Sequence, residues 1–389
     1  MQCNDRYSCF RRKSAIKISR VQCFFVCTLF LTFSHFVFLT SVYHSKKNAR
    51  FSAPNANSIS NWLAQLNNSS NAKSPVIFRY EFGGGGVGDC IKGMVAVMQV
   101  ALLIGRPFLV DFSRHPFGEA LPFMHHIVAT SAFREPSSSD SRVYNIGDWL
   151  TSPGRRLRRD SLFEALVMGA LPPGVIVQTN LPMSRDLASC LGLREESVSQ
   201  LAATLMAEVY SSVIDGATLG SLWPTSRAYR VALHLRTGDK FIDHATFNKN
   251  DERVSDEAAM LCALAKVPRI VAELAKEASV HAFACADTLI ARKLLQLNLE
   301  ANMTVIVPSR APVHIGYASI LERANAIQDA KDTLREHYTL ASADALFMLS
   351  ASGFSATACA TAVNGRSPRC FLRHGDNWAS FNVGGLFSL

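Results

Sequence analysis

Seven short runs rich in β-branched and aromatic residues alternate with longer stretches of helical periodicity, and this alternation narrows the possible folds more than any other feature of the chain. The runs cover 76–82, 107–112, 174–180, 229–236, 279–287, 303–309 and 345–352. Helical patterns occupy 89–104, 196–214, 255–278 (interrupted at Pro268), 288–299 and 354–363. Strand, helix, strand, repeated, builds parallel sheets with helices on both faces, and such sheets bind ligands beyond the carboxyl ends of their strands. The series breaks at Leu222-Trp-Pro-Thr-Ser226, just before a new strand. The expectation is an N-terminal α/β unit over 76–222 and a C-terminal α/β unit over 223–389, facing each other across a cleft.

Ahead of these units, 21–43 runs 23 residues without Lys, Arg, Asp or Glu, enough to span a bilayer as a helix. Six cations and one acid, Asp5, precede it in residues 1–20, while Lys46, Lys47 and Arg50 follow closely. The positive-inside bias makes 1–20 a cytosolic tail and 21–43 an uncleaved anchor, because the run is longer than the apolar core of a signal peptide. Residues 44–75 are rich in Asn, Ser and Ala with little to bury, and read as a flexible stem. N-x-S/T sequons begin at Asn67, Asn68 and Asn302.

The tail carries +5 of the formal net charge of +9, leaving a mildly basic body at +4. That balance suits an anionic small-molecule donor and gives no case for nucleic acid, which calls for a clustered basic face. The one dense basic run, Arg155-Arg156-Leu157-Arg158-Arg159, reads as a solvated helix start or loop. Beyond the anchor, Cys90, Cys190, Cys262, Cys285, Cys359 and Cys370 could form up to three disulfides in an oxidising lumen. Cys359 with Cys370 is the preferred pair, and the others include candidates for buried thiols.

Three constellations could carry chemistry. The first is Glu81-Phe-Gly-Gly-Gly-Gly-Val-Gly-Asp89, where Gly83-x-Gly85-x-x-Gly88 follows a strand, opens a helix and has Asp111 at the end of the next strand, as a dinucleotide fingerprint does. A phosphate loop would need Lys-Ser/Thr where this chain has Asp89-Cys90; Asp89 would instead cap the helix start. The glycines could equally serve only to make a tight turn. The second is Val231-Ala-Leu-His-Leu-Arg-Thr-Gly-Asp-Lys240: His234 and Arg236 share one strand face at its carboxyl end, and a fixed guanidinium there can hold phosphate oxygens bidentately or pair with an acid. The third is the Ser-Ala-Ser-Gly-Phe-Ser run over 350–355, where Ser352 or Ser355 opens a helix whose N-terminus can receive an anion or be capped.

GVGDCIKGM with LLIGRPFLVDF, then HLRTGDK, FACAD and LASADALFMLSASGFSATA, resembles in order the fucosyltransferase superfamily of bacterial nodulation, core α1,6- and protein O-fucosyltransferases. The resemblance extends in blocks over 76–370. It implies a GT-B fold, a GDP-fucose donor held by the C-terminal unit, and a glycan or glycoprotein acceptor facing the N-terminal unit. By the same resemblance Arg236 binds pyrophosphate, His234 contacts the nucleotide, Ser355 or its neighbour Ser352 touches the β-phosphate, and Glu336 lies on the guanosine side. Gly85, Gly88 and Asp89 would line the opposite wall. Core-type relatives carry a second arginine where this chain has Thr237 and a glutamate near its His244, so Asp239, Asp243 and His244 all stand as candidate bases.

The expected chemistry is inverting transfer without a resident cofactor or metal, since no D-x-D occurs in the chain. The expected location is the Golgi membrane, single-pass type II, with the body lumenal. Two alternatives stand beside it: an NAD-dependent oxidoreductase using the glycine turn, and a GT-B lumenal binding protein without catalysis.

Overall fold

The computed structural model describes residues 75–80, 86–113, 115–120, 143–146, 154–213, 221–224, 227–237, 257–308, 310, 323–350, 352–361, 363 and 366–381. The expected tail, anchor and stem lie outside them. Among the described residues no helix is long and apolar enough to cross a membrane.

The first sheet has four strands in the order β2-β1-β4-β3, all parallel. These are β1 (Val76–Arg79), β2 (Phe108–Asp111), β3 (Val143–Asn145) and β4 (Val175–Gln178). β1 and β4 are buried throughout, which is why they read as continuous Val/Ile/Phe runs rather than alternating ones. Between β1 and β2 runs α1 (Val87–Leu103), buried on nearly every face. Its one buried polar residue outside the first turn is satisfied: Gln99 donates to the Val198 carbonyl at 2.8 Å and accepts from Ser184 Oγ at 3.2 Å. Those bonds tie α1 to α4 (Ser184–Leu191) and α5 (Glu195–Val213). The remaining helices of this part are α2 (Phe117–Ala120) and α3 (Gly154–Met168), and the basic run 155–159 falls in the first turns of α3.

The second sheet has six strands in the order β10-β9-β8-β5-β6-β7. They are β5 (Tyr229–Leu235), β6 (Val280–Ala286), β7 (Thr304–Ile306), β8 (Ala345–Met348), β9 (Arg369–His374) and β10 (Asn377–Ser380). All pair in parallel except the β9–β10 hairpin, which is antiparallel. Its helices are α6 (Glu257–Ala275), α7 (Leu289–Leu299), α8 (Arg323–Ala341) and α9 (Gly353–Ala360). The expected interruption at Pro268 does not occur: α6 runs through it. Leu264, Val267 and Val271 bury one stripe of that helix in the core, and this packing outweighs the single backbone bond a proline removes.

Trp223 fastens the start of the second part. Its indole N–H donates to the Thr339 carbonyl at 3.0 Å, and its ring meets Phe283 edge-on at 5.9 Å. These contacts anchor the segment ahead of β5 on the second core. Helices of the two parts pack directly on one another, α8 against α2 and α9 against α1.

Cys359 and Cys370 form a disulfide, the expected pair. Of the three disulfides allowed, this one forms among the described residues; Cys90, Cys190, Cys262 and Cys285 are in no disulfide, and Cys90 and Cys285 are the buried thiols expected among them. Burial pushes the Cys90 and Cys285 thiols well above their ordinary pKa, so neither is a ready nucleophile.

Candidate functional site

In each sheet the chain runs out to one side and then returns to the other, and both reversals flank a central strand. In the second sheet β5 lies between β6 and β8, so the loops after β5 and β8 diverge at a topological switch point. Arg236 follows β5, and Ser350 and Ser352 follow β8. The two are joined by backbone and hydroxyl: Arg236 N–H donates to Ser350 Oγ at 2.8 Å, and Ser350 Oγ donates back to the Arg236 carbonyl at 2.9 Å. Strand register and this exchange bring the second and third sequence constellations to one place.

Arg236 is held from the other side by a residue that sequence reasoning passed over. Asp287, at the end of β6, accepts from Thr237 N–H at 2.9 Å and Thr237 Oγ at 2.8 Å, and lies 3.4 Å from Arg236 Nε. Thr237 thus anchors the turn through its hydroxyl. The acid paired with Arg236 belongs to the same sheet.

His234 is 3% exposed and faces into the protein, its ring 5.4 Å from Phe354. Burial, then the Arg236 charge, push its pKa down to about 3, so the imidazole is neutral. Its Nδ1 has no hydrogen-bond partner among the described residues. His337 on α8 is likewise lowered by burial to about 3, and bonds Thr357 Oγ1 on α9 at 2.9 Å. The pair seat the first turn of α9 through Phe354, which His337 meets edge-on at 4.9 Å.

Ser352 is the N-cap of α9, accepting from Phe354 N–H at 3.3 Å. Ser355 is fully buried, and its hydroxyl turns back to donate to the Ser352 carbonyl at 3.4 Å. Ser355 therefore does not present its hydroxyl, and of the first-turn N–H groups that helix geometry leaves without an acceptor, that of Phe354 is taken by the Ser352 cap. Glu336, on α8, has both its oxygens 2.9 Å from Arg292 Nη2, and Cys285 Sγ is 3.4 Å away. Burial raises its pKa against the opposing Arg292 charge.

The glycine turn meets this place from the first sheet. Gly86 caps α1, and Asp89 accepts from its N–H at 3.4 Å, the capping role expected of it. A Cβ on Gly88 would overlap the Gly353 backbone and lie 2.6 Å from Phe354 N. Gly88 is thus the contact between the two helix starts. The helix-to-strand role that a fingerprint assigns to its third glycine belongs here to Gly93, packed on the Thr179 carbonyl. Asp111, the candidate ribose acid, is already bound by Arg79 Nε at 2.7 Å and by Ser113 N–H at 3.0 Å, and is 5% exposed. These two observations remove the basis of the dinucleotide reading.

Gly85, Asp239, Asp243 and His244 lie outside the described residues. Among the described residues no three His, Cys, Asp or Glu side chains converge as a metal site.

No family model and no curated protein matches the chain. Among solved structures it is similar to NodZ α-1,6-fucosyltransferase soaked with GDP-fucose, at 16% identity over 77% of this chain and 95% of that one, with a TM-score of 0.40. It is similar to fucosyltransferase NodZ from Bradyrhizobium at 16% identity, 79% and 97% coverage and a TM-score of 0.41. A mutant of Arabidopsis thaliana FUT1 in complex with GDP is similar at 14% identity, 83% and 76% coverage and a TM-score of 0.44.

Proposed function

We propose that the chain is a fucosyltransferase that moves fucose from GDP-fucose to a hydroxyl of a glycan or glycoprotein acceptor, with inversion and without a metal. It acts as a single-pass type II protein of the Golgi membrane with its body in the lumen. One observation carries the reading: the Arg236 backbone is bonded to Ser350, two residues before the N-cap of α9, at the switch point of a parallel sheet, where a diphosphate would meet a guanidinium and a helix N-terminus at once. The ordered motif blocks, from GVGDC to SGFS, supply the sugar and the nucleotide.

In the proposed step the acceptor oxygen bonds to the anomeric carbon as the bond from that carbon to the β-phosphate oxygen breaks. The electron pair goes to the β-phosphate, and the hydroxyl proton passes to a base drawn from Asp239, Asp243 or His244. Arg236 and the α9 amides stabilise the charge growing on the leaving group, groups of this kind each contributing about 3 kcal/mol. Neutral His234 supports Phe354 and takes no proton near pH 7. Glu336 stands on the guanosine side, oriented by Arg292. The lack of a D-x-D sequence supports metal independence.

The decisive experiment incubates the full-length chain with radiolabelled GDP-fucose, UDP-sugars and NAD. Release or transfer of fucose from GDP-fucose alone is expected, undiminished by EDTA. Arg236→Ala should abolish it with circular dichroism unchanged; an active Arg236→Ala variant, or transfer that needs added manganese, overturns the assignment. Binding of GDP-fucose without turnover would leave the chain a binding protein on the same scaffold.

A further inference from the structure

We propose that Lys92, on α1 of the first sheet, is a second cation of the diphosphate site, reaching it from the opposite side to Arg236. This rests on the GDP-sugar reading above and names a residue that the reading leaves unassigned. Lys92 Nζ lies 3.3 Å, and its Cε 3.4 Å, from where a Cβ on Gly353 would stand, which places the ammonium beside the first residue of α9. It reaches there because Gly88, one turn earlier on α1, lets the two helices touch backbone to backbone.

The ammonium alone would run against the ordinary electrostatics of helices, and the Asp89 carboxylate paired with it, whose Oδ1 lies 3.5 Å from the same Gly353 position, is what offsets it. Cations are favoured at helix C-termini, where the carbonyls point outward, and disfavoured at N-termini. Here an ammonium stands at the N-terminus of α9, with Arg236 at the neighbouring strand end. The acids that face this cluster are Asp89, 2.7 Å from Lys92 Nζ, and Asp287, 3.4 Å from Arg236 Nε. Each is also committed to the backbone, Asp89 to Gly86 N–H and Asp287 to Thr237 N–H. Each cation is paired with an acid that also accepts from the backbone, and an incoming diphosphate would give both cations and the helix start a shared anion. The Lys92 side chain is 18% exposed and Asp89 36% exposed, so the pair can open towards a ligand.

The partner chemistry follows from the geometry. Lys92 belongs to the first sheet and Arg236 to the second, so a ligand bound by both bridges the two. The ligand portion concerned is the diphosphate, because the contact point is the α9 amides. Guanosine and its monophosphate should not feel Lys92.

Isothermal titration of the full-length chain with GDP, GMP and guanosine tests this, using the wild type, Lys92→Met, Lys92→Arg and Asp89→Asn. The expected result is a loss of GDP affinity of about 10-fold or more in Lys92→Met, as for a lost hydrogen bond to a charged group. GMP and guanosine should stay within about twofold, since one charge-assisted contact is specific to the group it touches. Lys92→Arg should recover most of the loss, and Asp89→Asn should bind GDP at least as tightly as the wild type. Unchanged GDP binding in Lys92→Met overturns the proposal, as does an equal loss for GDP and guanosine, which would mark Lys92 as a packing residue only. A wild type that binds no GDP sinks the underlying GDP-sugar reading instead, a result distinct from either.

Discussion

Gly88 and Gly353 touch backbone to backbone, although 265 residues separate them in the chain, and no side chain fits between them. Through this contact the start of α1 in the first sheet is seated on the start of α9 in the second. Both helices open at the carboxyl ends of parallel strands, where open α/β sheets bind ligands.

Gly88→Ala should therefore injure the protein more than an ordinary helix substitution. Alanine is the better helix former, yet its Cβ would meet the backbone of Gly353 and Phe354, which cannot rotate away as a side chain would. Overpacking of this kind costs about 1–3 kcal/mol. Thermal unfolding should show a Tm several degrees lower, and titration should show weaker GDP binding as α9 is displaced. A variant as stable as the wild type would mean that the helices separate freely.

Asp287→Asn probes how Arg236 is aimed. The amide oxygen can still accept from Thr237 N–H, but the charge that holds Arg236 Nε at 3.4 Å is gone. The guanidinium then loses its orientation, and misplacement of about 1 Å can cost on the order of 100-fold in rate. The expected outcome in steady-state transfer assays is a fall in kcat larger than the rise in donor KM. Equal falls in Asp287→Asn and Asp287→Ala would show that charge, not the hydrogen bond to Thr237, is what matters.

How far this site was legible in the sequence depends on whether its parts lie on one element. His234, Arg236 and the 350–355 turn stand on strong strand patterns and could be found by type and spacing. Asp287 could not be tied to them: it is 50 residues from Thr237, and only the β5–β6 register brings the two together. Lys92 lies within GDCIKGM, but its place beside α9 depends on the Gly88–Gly353 contact between the two parts, which no local pattern encodes. The seven expected strands all form, because buried parallel strands read as apolar runs. β3 escaped because three half-buried residues make no pattern, and the β9–β10 hairpin because its edge strand is mostly exposed and polar. Helix α8 was missed as well, since its sequence RANAIQDAKDTLREHYTLA is polar over most of its length.

Asp111 gives a pH signature. Burial raises its pKa, but the bonds from Ser113 and Arg79 outweigh this and hold the carboxyl below its ordinary value of 3.8. A group whose pKa is depressed by folding stabilises the protein above the unfolded value and loses that contribution as pH falls through the folded one. The Tm difference between the wild type and Asp111→Asn should thus be constant from neutral pH down to about 5 and shrink below the usual carboxylate range. A difference that persists undiminished at the lowest pH would assign the effect to shape rather than charge.

Arg292→Met should be the most damaging substitution in the second sheet. The guanidinium is 1% exposed and saturated: Nε donates to the Ala286 carbonyl at 3.0 Å, Nη1 to the Arg310 carbonyl at 2.8 Å, and Nη2 to both Glu336 oxygens at 2.9 Å. One side chain thereby joins the end of β6, the segment after β7 and helix α8. Its removal takes the guanidinium from the Glu336 carboxylate and from three carbonyls, those of Ala286, Pro308 and Arg310, and breaking a buried pair in this way costs about 3–5 kcal/mol. Replacing both partners removes the stranded charge, so Arg292→Met with Glu336→Leu should recover a large part of the loss. Urea unfolding of the two single variants and the double variant measures the coupling directly. Because Ala286 precedes Asp287, the single Arg292 variant should also lower donor affinity while it remains folded. If the double variant is no more stable than Arg292→Met alone, the backbone carbonyls and not Glu336 are the partners that matter.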